Sequence, residues 1–321
     1  MVLENNVTLG EEISNNGIKI DLGYHHDKSE YKIFRYNYYN LDTFLKAIVT
    51  MPINYEVFSC PSSKMNDCSF SGTESFEEAW NLCRFGWDNG YDKFISKLNI
   101  LNLKFSQIER LQNQYSCVGY VPNVAKFLCG NPKNIKTKIN ETVKKAIKIN
   151  VEISYSAFTE IDAVINRGVC ILSLITYLER LGIDCILEFS STAVCEDEMI
   201  EIIVPIKRDK EKLNIKLSYF PLVHPSFLRR LIFRAIEIIP NCNNNWSVGY
   251  GYPYKKNDEE IKQMKNTIYI STPSEMGIYG ENLNQDFDNF MNYINIKYNL
   301  NYLEGEDDKK CQKTYGRKVW E

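Results

Sequence analysis

The clearest pattern of apolar and polar positions lies in residues 150–189. Residues 151–157 alternate between apolar and polar side chains, which predicts a half-buried β-strand. From Ile161 onward, apolar residues recur at steps of three and four, which predicts an amphipathic helix that stops at Gly182. Residues 183–189 form a second apolar run. A strand, a helix and a strand of this length predict a parallel pair with a right-handed crossover.

Further elements follow this unit along the chain. Residues 199–207 have the pattern of a strand that forms a hairpin with its predecessor across an acidic turn. Residues 217–239 predict a long helical segment that is kinked or restarted at His224 and Pro225. A fourth strand at 267–271 and a closing helix at 286–298 complete a predicted α/β fold, with a central sheet flanked by helices.

Before residue 150 the pattern is mainly helical. Asn40 or Asp42 caps a helix that Pro52 ends, and Ser75 with Glu78 has the spacing of a capping box. These signals and the changes in composition predict five regions. They are an N-terminal extension with a short edge strand (1–39), a small mainly helical region (40–135), a basic linker (136–149), an α/β domain (150–302) and a charged C-terminal tail (303–321).

Composition excludes a disordered chain but gives little information about the kind of partner. Hydrophobic residues make up 44% and charged residues 25% of the 321 residues, as in ordinary globular proteins. The formal net charge of −3 is too small to predict steering towards a strongly charged partner.

The cysteines and the hydropathy pattern bear on the compartment. Ten cysteines are scattered without a C-x-x-C pair, so reduced thiols are expected rather than a zinc site. The first residues are polar and acidic, unlike a signal peptide, and no uninterrupted apolar run is long enough to span a membrane. We therefore predict a cytoplasmic protein without a membrane partner.

The order of the predicted elements over residues 150–300 resembles a von Willebrand factor A-type domain, which is Rossmann-like. Such domains often carry a metal-ion-dependent adhesion site, in which Asp-x-Ser-x-Ser follows the first strand. The corresponding residues here are Glu152, Ser154 and Ser156, so the first position departs from the pattern. The resemblance implies either a divalent cation such as Mg²⁺, which prefers oxygen ligands, or a degenerate domain that binds proteins without a metal. The alternative is that the serines face a polar loop and that Glu152 is exposed or ion-paired.

A second resemblance covers almost the whole chain. Residues 70–90, 118–134 and 166–189, followed by HPSFLRR at 224–230, resemble in their order a family of uncharacterised proteins from phages and related mobile elements. This resemblance implies a genomic context and a shared fold. It implies neither an activity nor catalytic residues.

Positive charge is concentrated in two places. Residues 133–148 contain six lysines and one glutamate, and the later lysines are Lys144, Lys145 and Lys148. The second group is Arg229, Arg230 and Arg234, of which the last two share one face of a predicted helix. Both groups are candidates for contact with nucleic-acid phosphates or an acidic protein partner. The competing interpretation is that the lysines form a solvated face. The arginines would then cover apolar surface with their aliphatic stems and keep their charged heads exposed.

Catalytic motifs are weak. The sequence has no G-x-S-x-G elbow, G-x-G-x-x-G loop or phosphate loop ending in Lys-Ser/Thr. His224 precedes a proline at a predicted helix start, which favours a structural role. A nuclease-type set can be drawn from Asp184, Glu188, Glu201 and Lys207, but the last two are six residues apart rather than two.

These observations lead to three hypotheses. The preferred one is a non-catalytic binding or assembly protein of a phage or mobile element, which uses an A-type α/β domain to hold a protein partner or a second copy of itself. The second is a nucleic-acid-binding accessory factor that uses the basic helix faces. The third is a metal-dependent enzyme that uses Glu152 and neighbouring carboxylates.

Overall fold

The computed structural model describes residues 2–4, 7–15, 18–26, 30–66, 68–112, 114–117, 121–137 and 146–298. The strands are β1 (Val2–Glu4), β2 (Val7–Asn15), β3 (Ile18–His26), β4 (Glu30–Tyr38), β5 (Gln114–Ser116), β6 (Val121–Pro122), β7 (Ile135–Thr137), β8 (Ile147–Glu152), β9 (Cys185–Cys195), β10 (Glu198–Lys207), β11 (Tyr252–Pro253) and β12 (Thr267–Ile270). The helices are α1 (Leu41–Thr50), α2 (Cys68–Ser71), α3 (Phe76–Phe85), α4 (Tyr91–Gln112), α5 (Val124–Leu128), α6 (Ile161–Arg180), α7 (Ile215–Val223), α8 (Phe233–Glu237), α9 (Asp258–Gln263) and α10 (Leu283–Tyr298), with a π-helical turn at Phe227–Ile232 before α8.

A mixed sheet organises the molecule. Its strands lie in the order β1-β2-β3-β4-β10-β9-β8-β12, and β11 pairs with β9. Strand β8 is parallel to β9 and to β12, whereas β10 runs antiparallel to β9 after a two-residue turn at Glu196 and Asp197. The predicted α/β class, the parallel pair around α6 and the following hairpin are therefore confirmed.

The N-terminal strands belong to this same sheet. Strand β4 pairs in parallel with β10, and β3 pairs with β4 along its length. Backbone hydrogen bonds thus cross the predicted boundary at residue 39, although the division into five regions otherwise stays a prediction. Residues 40–135 contain helices α1–α5, and β5, β6 and β7 form a separate small sheet.

The two faces of the main sheet differ in chemistry because alternate side chains of a strand point to opposite faces. On one face, residues such as Tyr36, Val151, Phe189 and Ile202 join helix side chains in a continuous hydrophobic core. On the other face, the intervening positions are largely polar and line an open groove. The groove is described below as the polar groove.

Helix α6 is the centre of the core. Its length and mean hydropathy of 1.5 would suffice to cross a membrane, but most of the helix is buried inside the fold. It packs against α4, α7 and α10, so its apolar surface is used for tertiary packing. Gly168 permits the close approach of α7, because a Cβ there would lie 2.8 Å from a methyl carbon of Val223.

The structure corrects one predicted element boundary and confirms another. Strand β8 ends at Glu152 rather than continuing to residue 157, because the Glu152 carboxylate accepts a hydrogen bond from the Ser154 amide and the chain then turns. The break predicted at His224 and Pro225 within the segment 217–239 is confirmed. Helix α7 ends at Val223 with His224 as its C-cap, and after Pro225 the chain continues through the π-helical turn into α8.

Candidate functional site

The polar groove has a volume of about 790 Å³ and runs across six strands of the main sheet. Residues of β3, β4, β10, β9, β8 and β12 form its floor, and the segment 254–265 forms a wall. Its charged lining residues are Lys19, Asp21, Arg35, Lys148, Glu188, Glu201, Lys256, Glu260 and Lys265.

Glu201 lies at the centre of an ion-pair network in this groove. Its Oε2 accepts from Arg35 Nε at 2.6 Å, and its Oε1 accepts from Lys256 Nζ at 2.9 Å. Burial alone would raise the pKa of Glu201, but the positive charges of Lys256 and Arg35 outweigh it and hold that pKa well below its usual range. Glu201 is therefore a fixed negative charge at any physiological pH.

Other polar groups of the floor are also held in place. Glu188 accepts from Asn150 Nδ2 at 3.0 Å and lies 3.2 Å from Lys148 Nζ. Asn150 in turn accepts from Ser190 Oγ at 2.7 Å. At the far side, Asp21 accepts from Asn37 Nδ2 at 3.1 Å. Such hydrogen-bonded networks fix the positions of their members.

The exposure of these groups decides which charge a ligand meets. The Glu188 and Glu201 side chains are only 9% and 8% exposed, whereas those of Lys148 and Lys19 are 42% and 47% exposed. Lys265 is also exposed. The anions thus lie beneath the surface and the lysine heads stand at the two ends of the groove.

The residues of the predicted adhesion site make separate contacts in the structure. Glu152 is 1% exposed, and its Oε1 accepts from the backbone amides of Ser154 and Thr192 at 3.0 and 3.3 Å. The Ser154 hydroxyl bonds to Ser191 at 2.7 Å, while Ser156 is exposed and accepts from the Phe158 amide. The three oxygens are engaged in separate contacts, so they do not fit one divalent ion. Across the described ranges, no group of three or more His, Cys, Asp or Glu residues is placed to hold a metal.

A buried arginine lies beside the ends of β8 and β12. Arg167 of α6 is completely buried and donates from Nη1 to the carbonyl oxygens of Glu152 and Ser271, at 2.8 and 3.0 Å. These carbonyls follow the carboxyl ends of β8 and β12. A fixed cation at this point disfavours a second, divalent cation beside it.

The carboxyl of Glu152 differs from that of Glu201 in its protonation. Burial raises the pKa of Glu152 to about 7, against the lowering effects of Lys256 and of hydrogen bonds from Ser154 and Thr192. Its Oε2 has no hydrogen-bond partner among the described residues. Glu152 is therefore buried and has no ion pair within the described ranges, contrary to the alternative considered for it from the sequence.

The predicted basic sites have different outcomes. Lys148 lies in the polar groove, whereas Lys144 and Lys145 fall outside the described residues. Arg230 and Arg234 are 1% and 6% exposed, so the expectation that they present a common surface is corrected. They instead donate to backbone carbonyls: Arg230 to Ser63, Met65 and Thr73, and Arg234 to Ile48 and Met51.

Arg229 has a different environment from its neighbours. It donates to the carbonyl oxygen of Phe70, and its guanidinium lies 4.2 Å from the centroid of the Phe70 ring. Arg229 is only partly buried whereas Arg230 is buried, because successive residues of a helical turn point in different directions.

The residues considered for catalysis do not assemble. Glu188 and Glu201 both line the polar groove, but Lys207 is 2% exposed and pairs with Glu179 at 2.9 Å. His224 is nearly buried, its ring is stacked on Phe220, and burial lowers its pKa to about 4. Its Nδ1 accepts from the Ser226 amide, which is a structural contact.

Several groove residues were not recognised in the sequence. Asp21, Arg35 and Lys256 lie far apart along the chain, and only strand pairing brings β3, β4 and β10 together. A signal was available in residues 30–38, where Arg35 and Asn37 alternate with Phe34, Tyr36 and Tyr38. The many aromatic residues in this segment made the alternation difficult to recognise.

Comparison with known proteins places the chain in a family of undefined activity. Residues 14–298 match the family described as a domain of unknown function, DUF7192. No curated protein and no solved structure matches the chain. Since the match spans most of the sequence, the chain belongs to the DUF7192 family.

Proposed function

We propose that this chain is a non-catalytic binding protein that holds an acidic segment of a protein partner in the polar groove. The observation that carries the proposal is the groove itself, whose carboxylates are buried while the heads of Lys19 and Lys148, although they pair with Asp21 and Glu188, are exposed at its two ends. A partner with negative charge meets favourable charge at both ends, so electrostatic complementarity guides the encounter and fixes its register.

The dimensions of the groove suit an extended peptide. Lys19 lies on β3 and Lys148 on β8, with β4, β10 and β9 between them. Four spacings between neighbouring strands amount to about 19 Å. An extended segment of about six residues covers that distance.

The electrostatics of the groove favour binding over proton transfer. General acid–base catalysis requires a group whose pKa lies near the working pH. Glu201 is instead held ionised by Lys256 and Arg35, and Glu188 is fixed in position by its contacts with Asn150 and Lys148. Charged side chains fixed in this way suit recognition, because the geometry of the binding site does not have to change when a partner binds.

The proposal also includes two finer assignments made from the sequence, an A-type domain and an origin in a phage or mobile element. The order β8, α6, the β9–β10 hairpin, α7, β12 and α10 supports the resemblance to an A-type domain. The degenerate form of that domain, without a metal, is favoured by the separate contacts of Glu152, Ser154 and Ser156. The proposed source in a phage or mobile element rests on the order of sequence motifs alone.

The first test is to purify the full chain from its host and identify what remains bound by mass spectrometry and by the ratio of absorbance at nucleic-acid and protein wavelengths. A stoichiometric protein partner with an acidic segment is expected. Nucleic acid in its place would favour the accessory-factor hypothesis and contradict this proposal.

A direct binding experiment then locates the site. Fluorescence anisotropy with a labelled hexaglutamate peptide is expected to show binding that weakens as salt rises. Lys19→Gln with Lys148→Gln should reduce affinity about tenfold, because each removes an exposed end charge. The matched control is Lys46→Gln with Lys212→Gln, since both lysines are exposed and neither lines the groove. Equal losses in the two double variants would refute the assignment to the groove.

A further inference from the structure

A second cavity lies on the helix-covered side of the sheet, beyond the end of β8. This cavity, called here the apolar pocket, has a volume of about 290 Å³, near the lower end of the range for small-molecule sites. Its apolar walls come from Phe70, Ala193, Leu228, Phe233, Ile236 and Tyr250. Ser191 lines this pocket, whereas Glu188 of the same strand lines the polar groove on the opposite face of the sheet. The two sites are therefore distinct.

The position of the apolar pocket is one at which α/β proteins bind ligands. Ser154 follows the carboxyl end of β8, and Ser191 belongs to the adjacent parallel strand β9. In open α/β sheets, ligands bind in crevices outside the carboxyl ends of the strands.

One wall of the pocket presents a fixed aromatic surface. The rings of Phe233 and Tyr250 are stacked, with centroids 3.8 Å apart and planes 3° apart. The Tyr250 hydroxyl donates to Glu237 at 2.5 Å and accepts from the Ser62 amide at 2.9 Å, so the ring is held at its hydroxyl end. This stacked pair gives the wall an aromatic, apolar character that suits contact with an aromatic ring.

The inner end of the pocket is polar. The Ser154 and Ser191 hydroxyls are 2.7 Å apart, and these residues are 4% and 3% exposed. Two hydroxyls in mutual contact keep acceptor lone pairs and one proton beyond the bond they share. They provide a polar contact point in otherwise apolar surroundings.

A cation stands beside the lining of the pocket. The Arg229 guanidinium lies 4.2 Å from the Phe70 ring centroid and 5.9 Å from that of Tyr155, and both rings line the pocket. Unlike Arg230, Arg229 is only partly buried, so its charged head remains accessible to a ligand. A guanidinium fork is well matched to a carboxylate.

From this arrangement we infer that the apolar pocket binds a small aromatic carboxylate, with its ring against the wall that contains the stacked Phe233–Tyr250 pair and its carboxylate towards Arg229. The inference does not depend on the polar groove, because the two cavities share no lining residue. It assigns this chain a small-molecule site in addition to its proposed protein partner.

The test uses phenylacetate and its neutral counterpart benzyl alcohol with the full chain, followed by saturation-transfer NMR and titration. Phenylacetate is expected to bind about tenfold more tightly than benzyl alcohol, since a charge-assisted contact contributes roughly that factor. Arg229→Gln should remove the difference between the two probes. The control Lys212→Gln, an exposed cation away from the pocket, should leave the difference unchanged.

A second experiment fills the apolar pocket with a larger side chain and measures the loss of binding. Ala193→Leu places extra carbons in the cavity and should weaken both probes at least tenfold, with thermal unfolding used to confirm a folded protein. If that variant does not fold, Leu228→Phe fills the pocket from the opposite wall. The inference is overturned if the wild-type chain binds neither probe at about 10 mM. Binding that survives a folded, filled variant would overturn it equally.

Discussion

Arg167 on helix α6 donates a hydrogen bond of 2.8 Å from Nη1 to the main-chain carbonyl oxygen of Glu152. The same nitrogen donates to Ser271 at 3.0 Å, so a single side chain links α6 to the ends of β8 and β12. Burial lowers the pKa of Arg167 to about 10, and within the described residues its Nε and Nη2 have no hydrogen-bond partner. The ends of β8 and β12 are therefore held together by a buried cation, although the burial of its charge costs free energy.

We expect Arg167→Met to lower the free energy of unfolding by about 2 kcal/mol. Loss of two charge-assisted hydrogen bonds costs about 1.5–3 kcal/mol each, and release of a buried charge offsets part of this. Urea unfolding followed by circular dichroism measures the change. Arg180→Met, at the exposed end of the same helix, serves as the control and should change stability by less than about 0.5 kcal/mol. An unaltered midpoint for Arg167→Met would contradict the linking role.

The raised pKa of Glu152 predicts a pH dependence of stability. The folded protein binds this proton more tightly than the unfolded chain, because the pKa rises from 4.5 to about 7. The resulting stabilisation is fully present below the unfolded pKa and is lost as pH rises through the folded pKa. It amounts to about 3 kcal/mol as an order of magnitude.

Glu152→Gln isolates this contribution because an amide does not titrate. Relative to the variant, the wild-type protein should lose about 3 kcal/mol of unfolding free energy between pH 4.5 and pH 8. Chemical denaturation at several pH values measures the difference. Glu259→Gln, at an exposed position, is the control and should follow the wild type throughout. Parallel curves for wild type and Glu152→Gln would show that Glu152 does not carry the shift.

Arg230 is expected to hold the loop that precedes α3 against the π-helical turn. Its guanidinium donates to the carbonyl oxygens of Ser63, Met65 and Thr73, with a distance of 2.7 Å to the last. Arg230→Lys keeps the charge but lacks the planar fork that reaches several acceptors. We expect faster limited proteolysis within residues 61–73 and a loss of about 2 kcal/mol in stability. Lys64→Arg, in the same loop, tests whether any substitution there has this effect.

The β12 edge of the sheet is closed by a tyrosine. The Tyr269 amide donates to the Tyr298 hydroxyl at 2.7 Å, and that hydroxyl donates to the Tyr269 carbonyl at 2.9 Å. Unpaired edge groups favour association with another chain, so this contact blunts the edge. Tyr298→Phe should increase concentration-dependent self-association, measured by sedimentation velocity. Tyr279→Phe is the control, since Tyr279 is 63% exposed; a monomeric Tyr298→Phe would contradict the prediction.

The α/β core was accessible from sequence because its signals are local. Helix α6 was predicted from Ile161 to Gly182 and extends from Ile161 to Arg180, since its apolar spacing and its Gly stop both act within one element. The β9–β10 hairpin followed from two apolar runs and the acidic turn between them. In both cases periodicity and turn chemistry agree with the tertiary structure.

Predictions failed where side chains form contacts at long range. Arg230 and Arg234 were interpreted as surface cations from their spacing, but the carbonyls they bind lie more than 150 residues earlier in the chain. The end of β8 was misplaced because the Glu152 carboxylate takes the Ser154 amide out of the strand pattern. Neither contact leaves a periodic signal in the sequence.

The sequence by itself determined the α/β class, the parallel pair around α6 and the membership in the DUF7192 family, because periodicity, turn residues and motif order are carried by neighbouring positions. Tertiary structure alone decided the polar groove. Pairing of β4 with β10 brings Arg35 to Glu201, and the segment after β11 brings Lys256 to the same carboxylate. A charge network assembled from three distant segments depends on strand order and burial, which no local pattern specifies.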